Sequence, residues 1–184
     1  MSVTMLTATF DRPGCLRHLV ECFRVQTYPE WHLRVIAEGP TAVTGDLGTD
    51  RRVSVVRFPQ RNGDWGNRAR AAELRRVELG DWVGMTHDDN YYVPTYFEDM
   101  IRVAGDADFV YCNMLHNGTG YAPFTTAPKP NGIDLGGWLA RRELILSVEF
   151  PNPDQADSDG QFAQALAAKA RRVVKHEGFL FVHN

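Results

Sequence analysis

His87, Asp88, Asp89 and Asn90 follow one another at the end of a short apolar run, Trp82 to Met85, that has the length of a strand. Two adjacent carboxylates repel each other unless a cation or a set of hydrogen-bond donors sits between them, so a buried strand that stops in acids points to a hard-metal site. In an open α/β sheet that carboxyl edge is also where ligands bind. The other chemistry open to these residues is a plain polar turn, which Asp-Asp-Asn suits, with Pro94 opening the next helix.

The elements that must position this stretch are legible on both sides of it. Residues 3–10 are β-branched and apolar without a helical stripe, which predicts a buried first strand. Asp11-Arg12-Pro13-Gly14 turns the chain, Pro13 suits the first helical position, and Leu16, Leu19, Val20 and Phe23 make one apolar helical face. A second strand is predicted from His32 to Ala37, ending in the turn Glu38-Gly39-Pro40, and a third from Arg52 to Phe58. Thr41 to Asp50 reads as a polar loop with at most a weak helix. Helices are predicted over Asn67 to Leu79, Pro94 to Ala104 and Gln161 to Arg172, with a short one from Glu143 to Leu146. Phe109 to Leu115 predicts a further strand, and Val173-Val174 and Phe179 to Val182 two terminal ones. His116 to Asp134 is long and rich in Gly, Pro and Thr; loops of that length inside a compact domain are usually functional, so it is expected to border the site. The alternation of strand and helix predicts a single α/β domain, doubly wound, with a mostly parallel sheet and helices on both faces.

A chain of 184 residues has room for one such domain and no second. Its 43% apolar and 23% charged residues are ordinary for a globular protein, and a formal charge of −3 argues against nucleic acid as a partner, since neutralising phosphates needs a basic face. The three cysteines, Cys15, Cys22 and Cys112, lack C-x-x-C spacing and are odd in number, which predicts free thiols in a reducing compartment. No signal peptide and no run long enough to span a bilayer is read, so the expected location is the cytoplasm, unless a partner holds the chain at a membrane.

Five segments together resemble family 2 glycosyltransferases with the GT-A fold. Ala8-Thr9-Phe10-Asp11-Arg12-Pro13 is similar to that family's P-T-Y-N-R-P, and Gln26-Thr27-Tyr28-Pro29-Glu30-Trp31 to its Q-T-Y-x-x-W. Residues 80–94 align without a gap on G-D-Y-I-x-F-L-D-x-D-D-x-x-x-P. Gly137-Trp138-Leu139-Ala140-Arg141-Arg142-Glu143 resembles a small-x-x-φ-R-R-E strand, and Asp157-Ser158-Asp159 before Phe162 resembles E-D-x-x-L. The resemblance covers nearly the whole chain, and the order of the motifs makes it more specific than any one of them.

The resemblance implies a single GT-A domain over residues 1–184, with 1–90 as the nucleotide-sugar half and 91–184 as the acceptor half. It implies transfer of a sugar from a UDP-, GDP- or dTDP-linked donor to a glycan, lipid-linked or small-molecule acceptor, with inversion. A departing pyrophosphate needs its charge neutralised, which a carboxylate-held Mn²⁺ or Mg²⁺ does. Asp89 falls on the main metal position and His87 replaces the motif's first Asp, a poorer ligand for Mg²⁺ and acceptable for Mn²⁺, with Asp88 as a substitute. His183, after the last strand, matches a histidine that completes the metal shell in many GT-A enzymes; a solvated terminal His is the alternative. Thr9, Phe10, Asp11 and Arg12 occupy positions that contact base, ribose or phosphate. Glu38 retains one carboxylate of D-D-G-S while Ala37 loses the other. Arg68 and Arg70 either face phosphate or are solvated.

Inversion requires a base for the acceptor hydroxyl. Asp159 matches the family's catalytic Asp and Asp157 is the fallback, against the alternative that either only caps a helix. Gly136, Gly137 and Trp138 are expected on the acceptor side, the glycines allowing close approach and the Trp stacking on sugar. The chain ends just after its last strand, so acceptor-binding extensions are expected to be missing or supplied by another protein, and a homo-oligomer is compatible with that. Two rivals stand. A nucleotidyltransferase should carry a Gly-rich basic loop after the first strand, which Ala8 to Pro13 lacks. A noncatalytic nucleotide-sugar or glycan binding domain is kept open by the substitutions at Ala37 and at Thr86 to Asn90.

Overall fold

The computed structural model describes residues 1–40, 47 and 50–184. Its strands are β1 (Val3–Thr9), β2 (Trp31–Glu38), β3 (Val53–Phe58), β4 (Trp82–His87), β5 (Tyr91–Tyr92), β6 (Phe109–His116), β7 (Ala122–Phe124), β8 (Trp138–Arg141) and β9 (Val173–His183). Its helices are α1 (Pro13–Arg24), α2 (Asn67–Leu74), α3 (Tyr96–Ala104), α4 (Arg142–Leu146) and α5 (Ser158–Lys169). The predicted loop over 41–50 lies, apart from residues 47 and 50, outside the described residues.

One sheet carries the order β3-β2-β1-β4-β8-β6-β9-β5, with β7 paired to β6. β1 is parallel to β2 and β4, β2 to β3, and β6 to β9. β8 runs antiparallel to both β4 and β6, so those two share a direction although a reversed strand separates them. The sheet is therefore mixed, with its parallel strands in the majority. Alternation along β1 feeds two cores, as strand geometry requires. Val3 and Met5 pack with Leu16, Leu19, Val20 and Phe23 of α1 and Tyr96, Phe97 and Met100 of α3. Leu6 faces the other way, into the layer holding Leu144 and Ile145 of α4 and Phe162, Ala163 and Leu166 of α5. Helices thus cover both faces.

Several boundaries differ from the pattern-based expectation. α2 stops at Leu74 rather than Leu79, because Val77 and Leu79 turn back to join the second core. α5 covers Ser158–Lys169, ending three residues before Arg172: the Arg171 backbone and guanidinium both bond Asp108, which pulls the chain off the helix axis. The two expected terminal strands are one, β9, whose register on β6 jumps from Cys112↔His176 to Asn113↔Phe179. Asn113 Nδ2 donates to the Glu177 carbonyl at 2.8 Å across that bulge. β5 and β7 are too short to show a period, and β7 lies inside the stretch expected to be irregular.

Candidate active site at the carboxyl edge of the sheet

β1 and β4 lie side by side with Ala8 opposite His87, so the residues that follow each strand emerge together. Thr9 Oγ1 donates to Asp88 Oδ2 at 2.7 Å, and Asp88 is fully buried. Arg12, at the start of α1, reaches back over them. Its Nη1 donates to Asp89 Oδ2 at 2.6 Å, and its Nη2 lies 2.6 Å from Asp88 Oδ1. That second contact is short but off the N–H direction, since Oδ1 has no aligned hydrogen bond, so Asp88 gains charge compensation more than a directed bond. Burial pushes the Asp88 carboxyl above its ordinary value, opposed by Thr9 and Arg12.

The opposite wall comes from sequence-distant elements. Asp134 begins a 3-10 turn over Leu135–Gly137, where its Oδ1 accepts from Gly136 N at 2.8 Å and from Asn90 Nδ2 at 2.9 Å. Asp159 sits in the first turn of α5. Gly160 lets that turn lie on the backbone of Lys129 and Pro130, since a Cβ there would fall 2.3 Å from the Lys129 carbonyl. Asn67 Nδ2 ties the two helix starts together, donating to Ser158 Oγ at 2.9 Å and to the Pro153 carbonyl at 3.1 Å.

His87 stands between these walls. Its Nε2 is 3.2 Å from Asp159 Oδ2 and 3.4 Å from Asp134 Oδ2. Its Nδ1 is 3.3 Å from Arg70 Nη2, and a guanidinium can only donate, so in the neutral ring Nδ1 accepts and Nε2 carries the proton toward the acids. His183, at the end of β9, places Nδ1 3.2 Å from Asp134 Oδ2 without an aligned hydrogen bond. Burial works against the His183 cation, but Asp134, then Asp89 and Asp159, raise it above the ordinary value. Burial likewise opposes an ionised Asp134, and His87, His183 and the Gly136 N–H overcome it and hold the carboxyl well below the usual range.

Ligand atoms of His87, Asp134 and Asp159 lie within 4.8 Å of one another. Carboxylate and imidazole donors suit a borderline-hard divalent ion, and the buried His183 nitrogen without an aligned partner fits one. His87 is the weaker donor of the group. A metal-bound histidine usually offers its second ring N–H to an acceptor, whereas the Nδ1 of His87 faces a guanidinium.

Two cavities meet here. The larger, about 470 Å³, is lined among others by Arg12, Trp65, His87, Asp89, Asp134 and Asp159. The smaller, about 250 Å³, is lined by Ala8, Thr9, Phe10, Arg12, Glu38, Arg61, Gly63, Trp65 and His87. Arg61 stacks on the Phe10 ring at 4.0 Å. Glu38 is buried with Oε1 unpartnered, and burial, reinforced by Asp64, raises its carboxyl above the ordinary value.

The remaining residues singled out from the sequence lie elsewhere. Asp11 lines neither cavity and takes a positive φ of 53°, the mark of a turn residue. Arg68 pairs outward with Asp154. Arg70 is neither solvated nor open to a phosphate: it is fully buried and donates to the Trp65 and Thr86 carbonyls. Trp138, expected to stack on sugar, is fully buried against Phe109 and Phe162 and has no free face. Gly136 and Gly137 are also buried; a Cβ on Gly136 would fall 2.5 Å from the Tyr92 hydroxyl, so its small size serves packing rather than a sugar's approach. Asp157 lines the larger cavity and accepts from Gln161 Nε2 at 2.9 Å, and neither it nor Asp159 is seen to bond the free N–H groups of α5.

Sequence reasoning missed Asp134 and Trp65. The acid immediately before Leu135-Gly136-Gly137, at the close of a long Gly- and Pro-rich stretch, was the available signal for the first. Trp65 shows itself only through its backbone, with φ at 54° and the side chain 58% exposed. Left-handed backbone costs a non-glycine residue roughly 1–2 kcal/mol.

A mostly parallel α/β sheet whose carboxyl edge gathers acids, imidazoles and an arginine around a polar cavity defines an α/β protein with a candidate site at the edge where open α/β sheets bind ligands. Residues 4–163 match glycosyl transferase family 2, and the chain belongs to that family. EpsH of Bacillus subtilis (strain 168), which carries a glycosyltransferase's name, is 26% identical over 118 residues, covering 61% of this chain and 33% of EpsH. The crystal structure of S. aureus TarS superposes with a TM-score of 0.82 at 17% identity, over 100% of this chain and 37% of TarS. A mannosyltransferase, PcManGT from Pyrobaculum calidifontis, solved with GDP-Man and Mn²⁺, superposes with a TM-score of 0.74 at 17% identity, over 98% of this chain and 56% of that one. The chain thus spans about a third of EpsH and little over a third to just over half of these solved chains. No helix among the described residues is long and apolar enough to cross a membrane.

Proposed function

We propose that the chain transfers a sugar from a nucleotide-diphosphate donor to an acceptor hydroxyl with inversion. The observation that carries this is the meeting of His87, Asp134, Asp159 and His183 with Arg12 and Asp89 in one cavity, while Asp88 lies fully buried beneath Arg12 and lines neither cavity. In support of a nucleotide-sugar donor, structures of TarS 1-349 are solved with UDP and with UDP-GlcNAc, and PcManGT with GDP-Man.

Asp159 is the general base. It takes the proton of the acceptor hydroxyl as that oxygen bonds to the anomeric carbon, while the bond from that carbon to phosphate breaks and its electron pair leaves with the diphosphate. His87 orients Asp159 through its Nε2–H, and Arg70 keeps that proton on Nε2 by occupying Nδ1. Arg12 neutralises the departing diphosphate. Residues 1–90 hold the nucleotide, with Glu38 accepting from a base N–H or a ribose hydroxyl and Phe10 against the base, and residues 91–184 supply the acceptor side. Asp134, His183 and Asp89 would hold a divalent cation, Mn²⁺ or Mg²⁺. Such an ion supplies charge neutralisation at the leaving phosphates.

The test is release of free nucleotide from UDP-, GDP- and dTDP-sugars with Mn²⁺ and an acceptor panel, on the wild type and on Asp159→Asn. Turnover by the wild type that survives in Asp159→Asn removes the base assignment. A noncatalytic nucleotide-sugar binding domain is the second reading, favoured by Arg12 lying across both Asp88 and Asp89. Nucleotide binding without turnover across the panel would select it.

A further inference from the structure

We propose that Trp65 is the platform on which the pyranose ring of the donor sugar stacks. This rests on the reading of the chain as a nucleotide-sugar glycosyltransferase. Trp65, Arg12 and His87 are the residues shared by the two cavities. A nucleotide sugar is linear: base, ribose, two phosphates, sugar. With its nucleoside against Phe10 and Glu38 and its phosphates beside Arg12, the next unit crosses the seam at Trp65 and enters the larger cavity beside Asp159.

The local backbone is built to present this side chain. Gly63 and Gly66, on either side, take φ of 71° and 79°, values glycine adopts freely. Between them Trp65 takes φ of 54°, where a glycine would be unstrained. Asp64 holds the turn, its Oδ1 accepting from Gly66 N at 3.1 Å and its Oδ2 from Arg68 N at 3.1 Å. From below, the buried Arg70 donates Nη1 to the Trp65 carbonyl at 2.8 Å. Buried polar groups therefore stabilise a strained residue whose own side chain is 58% exposed. The indole gives an apolar face to the C–H side of a sugar ring, and Asp157, which lines the same cavity, can meet its hydroxyls.

The other three tryptophans, Trp31, Trp82 and Trp138, are buried, so quenching of tryptophan emission by acrylamide reads Trp65. The experiment compares matched pairs with Mg²⁺, UDP against UDP-GlcNAc, GDP against GDP-mannose and dTDP against dTDP-glucose, with binding followed in parallel by calorimetry. For the pair that binds, the diphosphate alone should leave quenching nearly unchanged, and the nucleotide sugar should reduce it at least threefold. Trp65→Gly, which relieves the backbone, should melt at a higher temperature and lose at least tenfold in affinity for the nucleotide sugar, while keeping diphosphate affinity within twofold. Trp65→Phe should retain most of the sugar affinity. Equal shielding by the diphosphate would make Trp65 a base platform and overturn the proposal, as would a nucleotide sugar that binds while Trp65 stays open, or undiminished sugar affinity in Trp65→Gly. Absence of any calorimetric binding to the wild type would instead remove the nucleotide-sugar reading itself, and this inference with it.

Discussion

His87 directs Nε2 at Asp159 Oδ2 across 3.2 Å, joining two residues 72 positions apart in the chain. The contact gives the proposed base a fixed orientation, and Arg70 on the far side of the ring sets which nitrogen bears the proton. Asp159→Asn is expected to lower kcat by about 10²–10⁴-fold, the usual contribution of a general base, with nucleotide affinity unchanged. His87→Phe should lower kcat by about 10²-fold through misplacement of the Asp159 base. Steady-state kinetics with calorimetric nucleotide binding checks both; a fall in affinity matching the fall in kcat would point to lost binding instead.

Arg12→Ala leaves the buried Asp88 with Thr9 as its remaining partner. The variant should lose about 1–3 kcal/mol of stability, typical of a buried polar group deprived of a partner. Asp88→Asn in the same chain should restore part of that loss. Urea unfolding of the two single variants and the double variant measures the coupling.

Arg70 supports the site from behind rather than touching substrate. Removing it leaves the Trp65 and Thr86 carbonyls without their donor and the acids of the site without a buried cation, so Arg70→Ala should cost about 3–5 kcal/mol. Arg70→Lys should rescue little, since a single ammonium cannot span both carbonyls and His87 Nδ1. Thermal melting of the three forms reads the difference.

Asp134→Ala should weaken Mn²⁺ binding at least tenfold, measured by titration of the metal alone. His183→Ala should weaken it as well, and Asp89→Ala should abolish metal-dependent nucleotide binding. An Asp134→Ala protein that binds Mn²⁺ as the wild type does would remove this residue from the cation's shell.

Acid sensitivity should come in part from two carboxylates far from the site. Hydrogen bonds from Arg52 draw Asp50 down to about 2, and those from Arg171 lower Asp108. A carboxyl depressed in the folded state stabilises it fully above the unfolded value near 3.9 and loses that contribution as pH falls toward the folded one. Each contributes on the order of 1 kcal/mol after solvent screening. The urea midpoint should fall between pH 4.5 and pH 2, and Asp50→Asn should flatten that fall.

The sequence by itself determined the elements that have a period. Pro13 with Leu16, Leu19, Val20 and Phe23 marks α1, and the apolar run from Trp82 delivers acids to a strand end, because local backbone geometry repeats every two or 3.6 residues. Motif order determined the family. Motif resemblance also nominated Arg12, His87, Asp89, Asp159 and His183, all of which line the cavity. Tertiary structure alone added Asp134 and Trp65 and decided the contacts: Asp134 and Asp159 reach His87 because β8 is inserted antiparallel between β4 and β6 and because α5 lies on the Lys129 backbone. It also turned Trp138 and Arg70 inward, although their residue types suit a ligand equally well. Side-chain periodicity reports which way a residue faces relative to its own element, whereas the neighbours it meets depend on strand order and register, which pair residues far apart in the chain.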